Sequence, residues 1–222
     1  MGTALEWLRG SPADAVELSA LRLAELVPLI ERTRELELSR YRFISVHAPG
    51  RIPPDDEHEI VRLLRTFTER AWPVVLHPDT ISDFELWRAL GPLLLIENMD
   101  KRKRTGRTVE ELEVLFRLLP EARLCFDIAH ARQVDGTMTE AYRILKRFGG
   151  RLAEIHISEV TSGSGHDRIS PAASRAFQKV AAFIPPEVPV ILESCVGRAE
   201  IADEIARARA ALSHVATTNL AA

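Results

Sequence analysis

The chain has 222 residues, 46% apolar and 27% charged, with a formal net charge of −3. That balance excludes a global electrostatic pull towards nucleic acid or an anionic membrane, and no apolar run approaches the ~20 residues that span a bilayer. Two cysteines, Cys125 and Cys195, make no disulfide framework, and the opening MGTALEWLRG lacks a secretory signal, so a cytoplasmic protein is expected.

In chain order, a helix-like GTALEWLRG precedes seven short runs rich in Val, Ile, Leu and Phe, which read as buried strands. They lie at 14–19, 42–47, 73–77, 92–97, 123–128, 152–157 and 188–193. Amphipathic helices fill the gaps. DEHEIVRLLRTFTERA sets Ile60, Leu63, Leu64 and Phe67 on one face. TVEELEVLFRLL opens with a capping box from Thr108 to Glu111. SPAASRAFQKVAAF has Ser170 as N-cap and Pro171 in the first turn. AEIADEIARARAAL is a long alanine-rich helix.

Strands alternating with helices, apolar on both faces, predict a parallel α/β sheet. A polar residue stands at or near each strand end: Glu17, His47, His77, Glu97, Asp127, His156 and Glu193. Their spacing is close to 30 residues over most of the chain, the length of a βα unit. An open doubly wound sheet would gather function at one switch point and often carry a glycine-rich phosphate loop. No such loop occurs here. A TIM-type (β/α) barrel brings every strand end to one mouth. Seven strands rather than eight predict an incomplete barrel in a single domain over 1–222. The first strand is absent, unless HVATTNL near the C-terminus supplies one. The seam would need cover, for which a second copy in a homodimer is a candidate.

The expected mouth residues are His47, His77, Glu97, Asp127, His130, His156, His166 and Glu193, which take five of the seven histidines. Such a set binds Zn²⁺, Mn²⁺, Fe²⁺ or Co²⁺. Several carboxylates in a dry cavity would otherwise repel one another. A lone strand-end His or Glu is usually a hydrogen-bonded structural residue; it is the joint phasing that argues for a metal. Glu17 lies inside VELS and fits barrel lining or substrate contact. The basic run DKRKRTGR, 100–107, is of a kind usually found as a solvated loop, yet it leaves the mouth directly after Glu97 and offers Lys101, Arg102 and Arg104 to substrate. Cys125, Trp7, Trp72 and Trp87 read as packing residues; Cys195 has no evident thiolate partner. His58 and His214 read as exposed.

The segments SVHAP, VLHPD, IENMD, CFDIAHA, IHISE, GHDRIS and ILES resemble those of the xylose isomerase-like TIM barrels. That superfamily joins sugar isomerases and epimerases, such as the ketohexose 3-epimerases, with endonuclease IV-type AP endonucleases. The resemblance runs from about residue 14 to 195. Its epimerase pattern implies a metal held by Glu97, Asp127, His156 and Glu193, with His130 on substrate. Glu97 and Glu193 would then act as proton acceptor and donor around a metal-stabilised enediolate. Its endonuclease IV pattern implies a trinuclear zinc site of nine ligands. Eight are matched, by His47, His77, Glu97, Asp127, His130, His156, His166 and Glu193. Ser164 stands where the ninth, an Asp, belongs.

The resemblance therefore implies a divalent-metal enzyme, with Zn, Mn, Mg or Co as cofactor. The intact four-ligand set, compact length and negative charge favour an isomerase or epimerase acting on a sugar or sugar phosphate. The alternatives are an AP endonuclease-like phosphodiesterase, with nucleic acid as partner, and a non-catalytic metal-binding barrel.

Overall fold

A computed structural model describes residues 2–213. At its centre seven parallel strands curve into a nearly closed ring: β1 (Ala15–Ser19), β2 (Phe43–His47), β3 (Val74–Leu76), β4 (Leu94–Glu97), β5 (Arg123–Asp127), β6 (Leu152–Ile157) and, after a short hairpin, β9 (Val190–Leu192). Each pairs with its neighbour in sequence, from Ala15↔Phe43 at one end to Ile155↔Val190 at the other. The β5–β6 register shifts between Leu124 and Cys125. All seven predicted strands are present, and the fold is an incomplete TIM-type barrel. Among the described residues no hydrogen-bonded ladder joins β9 to β1, so the ring has a seam there. HVATTNL and His214 lie outside the described residues.

The hairpin, β7 (Glu159–Val160) and β8 (His166–Asp167), is antiparallel and was not foreseen. Two residues per strand are too few to show a period.

The helices pack around the ring: α1 (Gly2–Trp7), α2 (Leu23–Arg32), α3 (Glu57–Thr68), α4 (Phe84–Arg88), α5 (Val109–Leu118), α6 (Ile128–Val134), α7 (Thr139–Phe148), α8 (Pro171–Gln178) and α9 (Ile201–Leu212). Alternate strand residues point out to them, and the main core lies between these two layers. Leu26, Ile60, Leu64, Phe67, Trp87, Phe126 and Phe177 are fully buried there. Burying each such side chain is worth about 1.5–3 kcal/mol. In α3 the buried face uses Val61 beside Ile60, Leu64 and Phe67, while Leu63 is only half-buried. Trp72 stacks on Phe67. Trp7, expected to pack, is instead exposed. His58 and Cys195 are exposed and Cys125 is buried.

The helix starts follow their sequence signals. Thr108 Oγ1 accepts from Glu111 N at 3.3 Å, but the Glu111 carboxylate reaches back to Arg107 N, one residue short of a capping box. Ser170 caps α8 by accepting from Ala173 N at 3.1 Å. Two buried glutamates lock this outer layer. Glu57 of α3 accepts from Ser82 N, Asp83 N and Trp87 Nε1 at 2.6–3.0 Å. Glu140 of α7 accepts from Val109 N at 2.6 Å and from Arg143 at 2.7 Å. Among the described residues, no helix is long and apolar enough to cross a membrane.

Candidate metal centre

The C-terminal ends of the strands set the candidate ligands. His47, Glu97 and Asp127 are the last residues of β2, β4 and β5; His77 and Glu193 directly follow β3 and β9; His156 is one residue from the end of β6. The D-x-x-H spacing has a local cause. Asp127 is the N-cap of α6 and its Oδ1 accepts from His130 N at 2.7 Å. That turn carries the His130 ring back over the ring of strands. Asn98 braces the same corner, exchanging bonds of 2.8 Å with Asp127 N and Asp127 O.

Glu97 sits at the middle. Its Oε2 lies 3.1 Å from His77 Nε2 and 3.3 Å from His47 Nε2; its Oε1 lies 3.2 Å from His130 Nδ1 and 3.7 Å from His156 Nδ1. Glu193 meets His156 Nδ1 at 3.3 Å and His166 Nδ1 at 3.4 Å. Among the described residues three groups of donor atoms each gather within 4.8 Å: His47, His77 and Glu97; Glu97, Asp127, His156 and Glu193; and Glu17, Glu154 and His156. Glu97 belongs to the first two. Two tautomers follow from carbonyl contacts. His47 Nδ1 faces Ala48 O at 2.8 Å and must donate to it, so in the neutral ring the Nε2 lone pair would face the centre. His130 Nδ1 likewise faces Asn98 O at 3.0 Å, leaving Nε2 free.

The residues fit a divalent cation on a structural test. Asp127 Oδ2, His156 Nδ1 and Glu193 Oε2 are buried without a hydrogen-bond partner among the described residues. Such atoms are costly unless something charged completes them. The electrostatics agree. Burial pushes the Asp127 carboxyl up to about 8. Burial would also raise Glu97, but His77 and the other rings hold it well below the usual carboxylate range. Burial opposes ionisation of Glu193 too, yet His156 holds it at about 2. Burial disfavours protonated His47 and His130; Glu17 and Glu97 raise the first to about 9, and Asp127 and Glu97 raise the second to about 10. The imidazoles thus hold protons in the place a cation would take. Nitrogen and carboxylate donors in this mix suit Zn²⁺ or Mn²⁺.

The remaining sequence candidates divide. His166 rides on β8 and bonds Ser158 Oγ at 2.8 Å. Ser164 turns away, its Oγ accepting from Gln133 Nε2 at 3.1 Å. Asp167 is exposed and accepts from its neighbour Arg168 N, so neither supplies a ninth donor. In the basic loop, Lys103 is tied to Asp79 at 2.9 Å and Arg107 to Glu111 at 2.6 Å. Lys101 and Arg102 are exposed, and Arg104 is at the surface beside them. The loop closes on itself through Met99 N to Gly106 O at 2.8 Å. Gly106 has φ +83°, and a Cβ there would stand 2.7 Å from Pro78. Sequence reasoning missed Glu154, buried below His156. The signal was available: two residues apart on one strand is one face.

No family model and no curated protein matches the sequence. Solved structures do. The chain is similar to endonuclease IV from Thermus thermophilus, with 20% identity, a TM-score of 0.62, and coverage of 95% of this chain and 93% of that one. It is similar to SacUVDE, with 17% identity, a TM-score of 0.54, and coverage of 95% and 82%. A fainter likeness, to 3-keto-D-glucoside 4-epimerase from E. coli, has 11% identity, a TM-score of 0.49 and coverage of 89% and 99%, too faint to bear on function. By its ring of strands and by the first two likenesses, the chain has the TIM-type barrel fold of those two proteins.

Proposed function

We propose that the chain is a divalent-metal-dependent phosphoester hydrolase whose two cations share Glu97. One observation carries this: the Glu97 carboxylate divides its oxygens between two donor groups, with His47 and His77 on Oε2. A single-cation isomerase centre needs Glu97, Asp127, His156 and Glu193 and leaves His47 and His77 idle. The likeness to endonuclease IV supports the same reading. The ninth ligand of a trinuclear centre lacks support, because Ser164 and Asp167 face away.

His47, His77 and Glu97 would hold one cation; Glu97, Asp127, His156 and Glu193 the other. Cations bound there would supply Lewis acidity and neutralise charge on a phosphoryl group. The burial of Glu97, Asp127 and His156 keeps bulk water from them, which strengthens each charge contact. His166, at 26% exposure, is the most open of the five rings and stands where substrate enters. Lys101, Arg102 and Arg104 would take outer phosphates, with a salt dependence growing by about one counterion per contact.

The four-ligand group is complete in itself, and that favours a second reading, a sugar isomerase or epimerase with Glu97 and Glu193 as proton carriers. The test is elemental analysis of protein purified without added metal, with parallel assays on abasic duplex DNA and on open-chain ketoses. Two equivalents of metal and chelator-sensitive nicking are expected. One equivalent with ketose interconversion and no nicking would overturn the proposal in favour of the second reading.

A further inference from the structure

Below the metal centre the barrel interior turns polar again. His156 shows Nδ1 to the centre and Nε2 to the floor. Nε2 lies 3.2 Å from Glu17 Oε2 and 3.4 Å from Glu154 Oε1. All three side chains are at least nine-tenths buried. Glu154 is held from β2 by Ser45, whose Oγ donates to Glu154 Oε1 at 2.8 Å. Ser45 is the register partner of Glu17 on β1, so three strands converge on one ring nitrogen. Val75, Leu95, Cys125 and Ala153 form a buried cluster of their own and bring no countercharge. Glu17 Oε2, Glu154 Oε2 and His156 Nε2 itself make no hydrogen bond among the described residues, so the ring nitrogen and the two carboxylates stand in contact but unjoined.

A neutral imidazole has one lone pair and one N–H to place. If Nδ1 gives its lone pair to a cation, neutral His156 must carry its proton on Nε2. That proton then needs a buried acceptor, and carboxylates are what lies in reach. We infer that Glu154, backed by Ser45 and Glu17, is a positioning residue that accepts the Nε2–H of His156 and so aims its Nδ1 lone pair at the cation centre. The inference rests on the cation centre proposed above. A histidine ligand braced by a carboxylate is a general device for fixing tautomer and ring angle, and losing the brace costs about 10–100-fold in affinity. Glu17, whose Oε2 lies 3.2 Å from the same Nε2, is the second acceptor in reach.

The experiment compares zinc affinity, by competition with a chromophoric chelator, in the wild-type chain and in Glu154→Leu and Glu154→Gln. Stoichiometry is read at saturation and thermal stability is read without metal. Leu should weaken binding about 10–100-fold with the same number of equivalents bound. Gln, which also removes the charge but keeps an acceptor oxygen, should restore affinity to within a few-fold. Equal losses in Leu and Gln would overturn the inference, since charge alone would then act. Loss of one equivalent in either variant would overturn it too, by showing that Glu17, Glu154 and His156 hold a cation of their own. Should Leu fail to fold, ring ¹⁵N–¹H spectra of the zinc-loaded wild-type chain decide. A His156 proton on Nε2 that shifts in Glu154→Gln is expected, and a proton on Nδ1 overturns the assignment. No zinc bound by the wild-type chain would instead sink the proposed cation centre itself.

Discussion

Glu57 and Glu140, in the helical layer, are nearly as dry as Asp127 and Glu154 inside the ring of strands. Their surroundings differ. The two outer acids spend their oxygens on backbone and indole N–H groups and an arginine, donors fixed by helix starts. The two inner acids each keep one oxygen without a donor; the other accepts a single bond, from His130 N at Asp127 and from Ser45 Oγ at Glu154, and imidazoles crowd both. Burial alone therefore says little about the role of a carboxylate. An acid completed by N–H donors is a clasp; one left incomplete among histidines is open to serve the proposed cation centre, as a ligand at Asp127 and as a brace at Glu154.

The contrast breaks most visibly at Asp127. Asparagine caps a helix as well as aspartate does, so Asp127→Asn should leave α6 in place while removing a ligand. Hydrolysis should fall by more than the about 10–100-fold that loss of a bracing partner costs. With chelator present, the variant should melt no lower than the wild-type chain. A variant that keeps its activity, or melts far lower without metal, would make Asp127 a clasp like Glu57.

The converse change comes next in size. Glu57→Ala leaves Ser82 N, Asp83 N and Trp87 Nε1 unpaired, at about 1–3 kcal/mol for each buried group. Urea unfolding should show that loss, with metal content unchanged. Metal lost along with stability would erase the distinction between layers.

The smallest effect is on pH. Asp127 at about 8 and the imidazoles of His47 and His130 at about 9 and about 10 all hold protons more tightly folded than unfolded. Each therefore favours the folded state at low pH and loses that contribution as pH rises through its folded value. Glu193, at about 2, acts oppositely, but its change is complete above about 4.5. The cation-free chain should thus melt at falling temperature from pH about 5 to about 9, by about 2–4 °C for each kcal/mol lost. Zinc, which replaces those protons, should flatten the slope. A chelated chain with a level or rising Tm over that range would show that the inner acids are already neutralised.

Much of this was legible in the residues. The strands showed because both faces of a parallel sheet are buried, giving runs such as PLLLIE. The site showed because each strand end carries one polar residue, so His47, His77, Glu97, Asp127, His156 and Glu193 could be phased without coordinates. Three things were hidden. Which Glu97 oxygen faces which ring depends on the curvature of the whole sheet. Glu154 looked like any polar residue in LAEIHI until the register of β6 against β5 fixed its height. The hairpin that turns Asp167 outward has no period to read. Trp7 was misjudged because an amphipathic-looking end says nothing of what will cover it.

The seam between β9 and β1 has a kinetic consequence. Every ladder in the ring joins strands adjacent in the order of synthesis, apart from the small hairpin between β6 and β9. A closed ring would also need its first and last strands to zip together, a pairing across nearly the whole chain whose loop-closure entropy must be met before any contact rewards it. Among the described residues this chain omits that slowest step. Its nucleus is free to form at any neighbouring pair and grow outward from there.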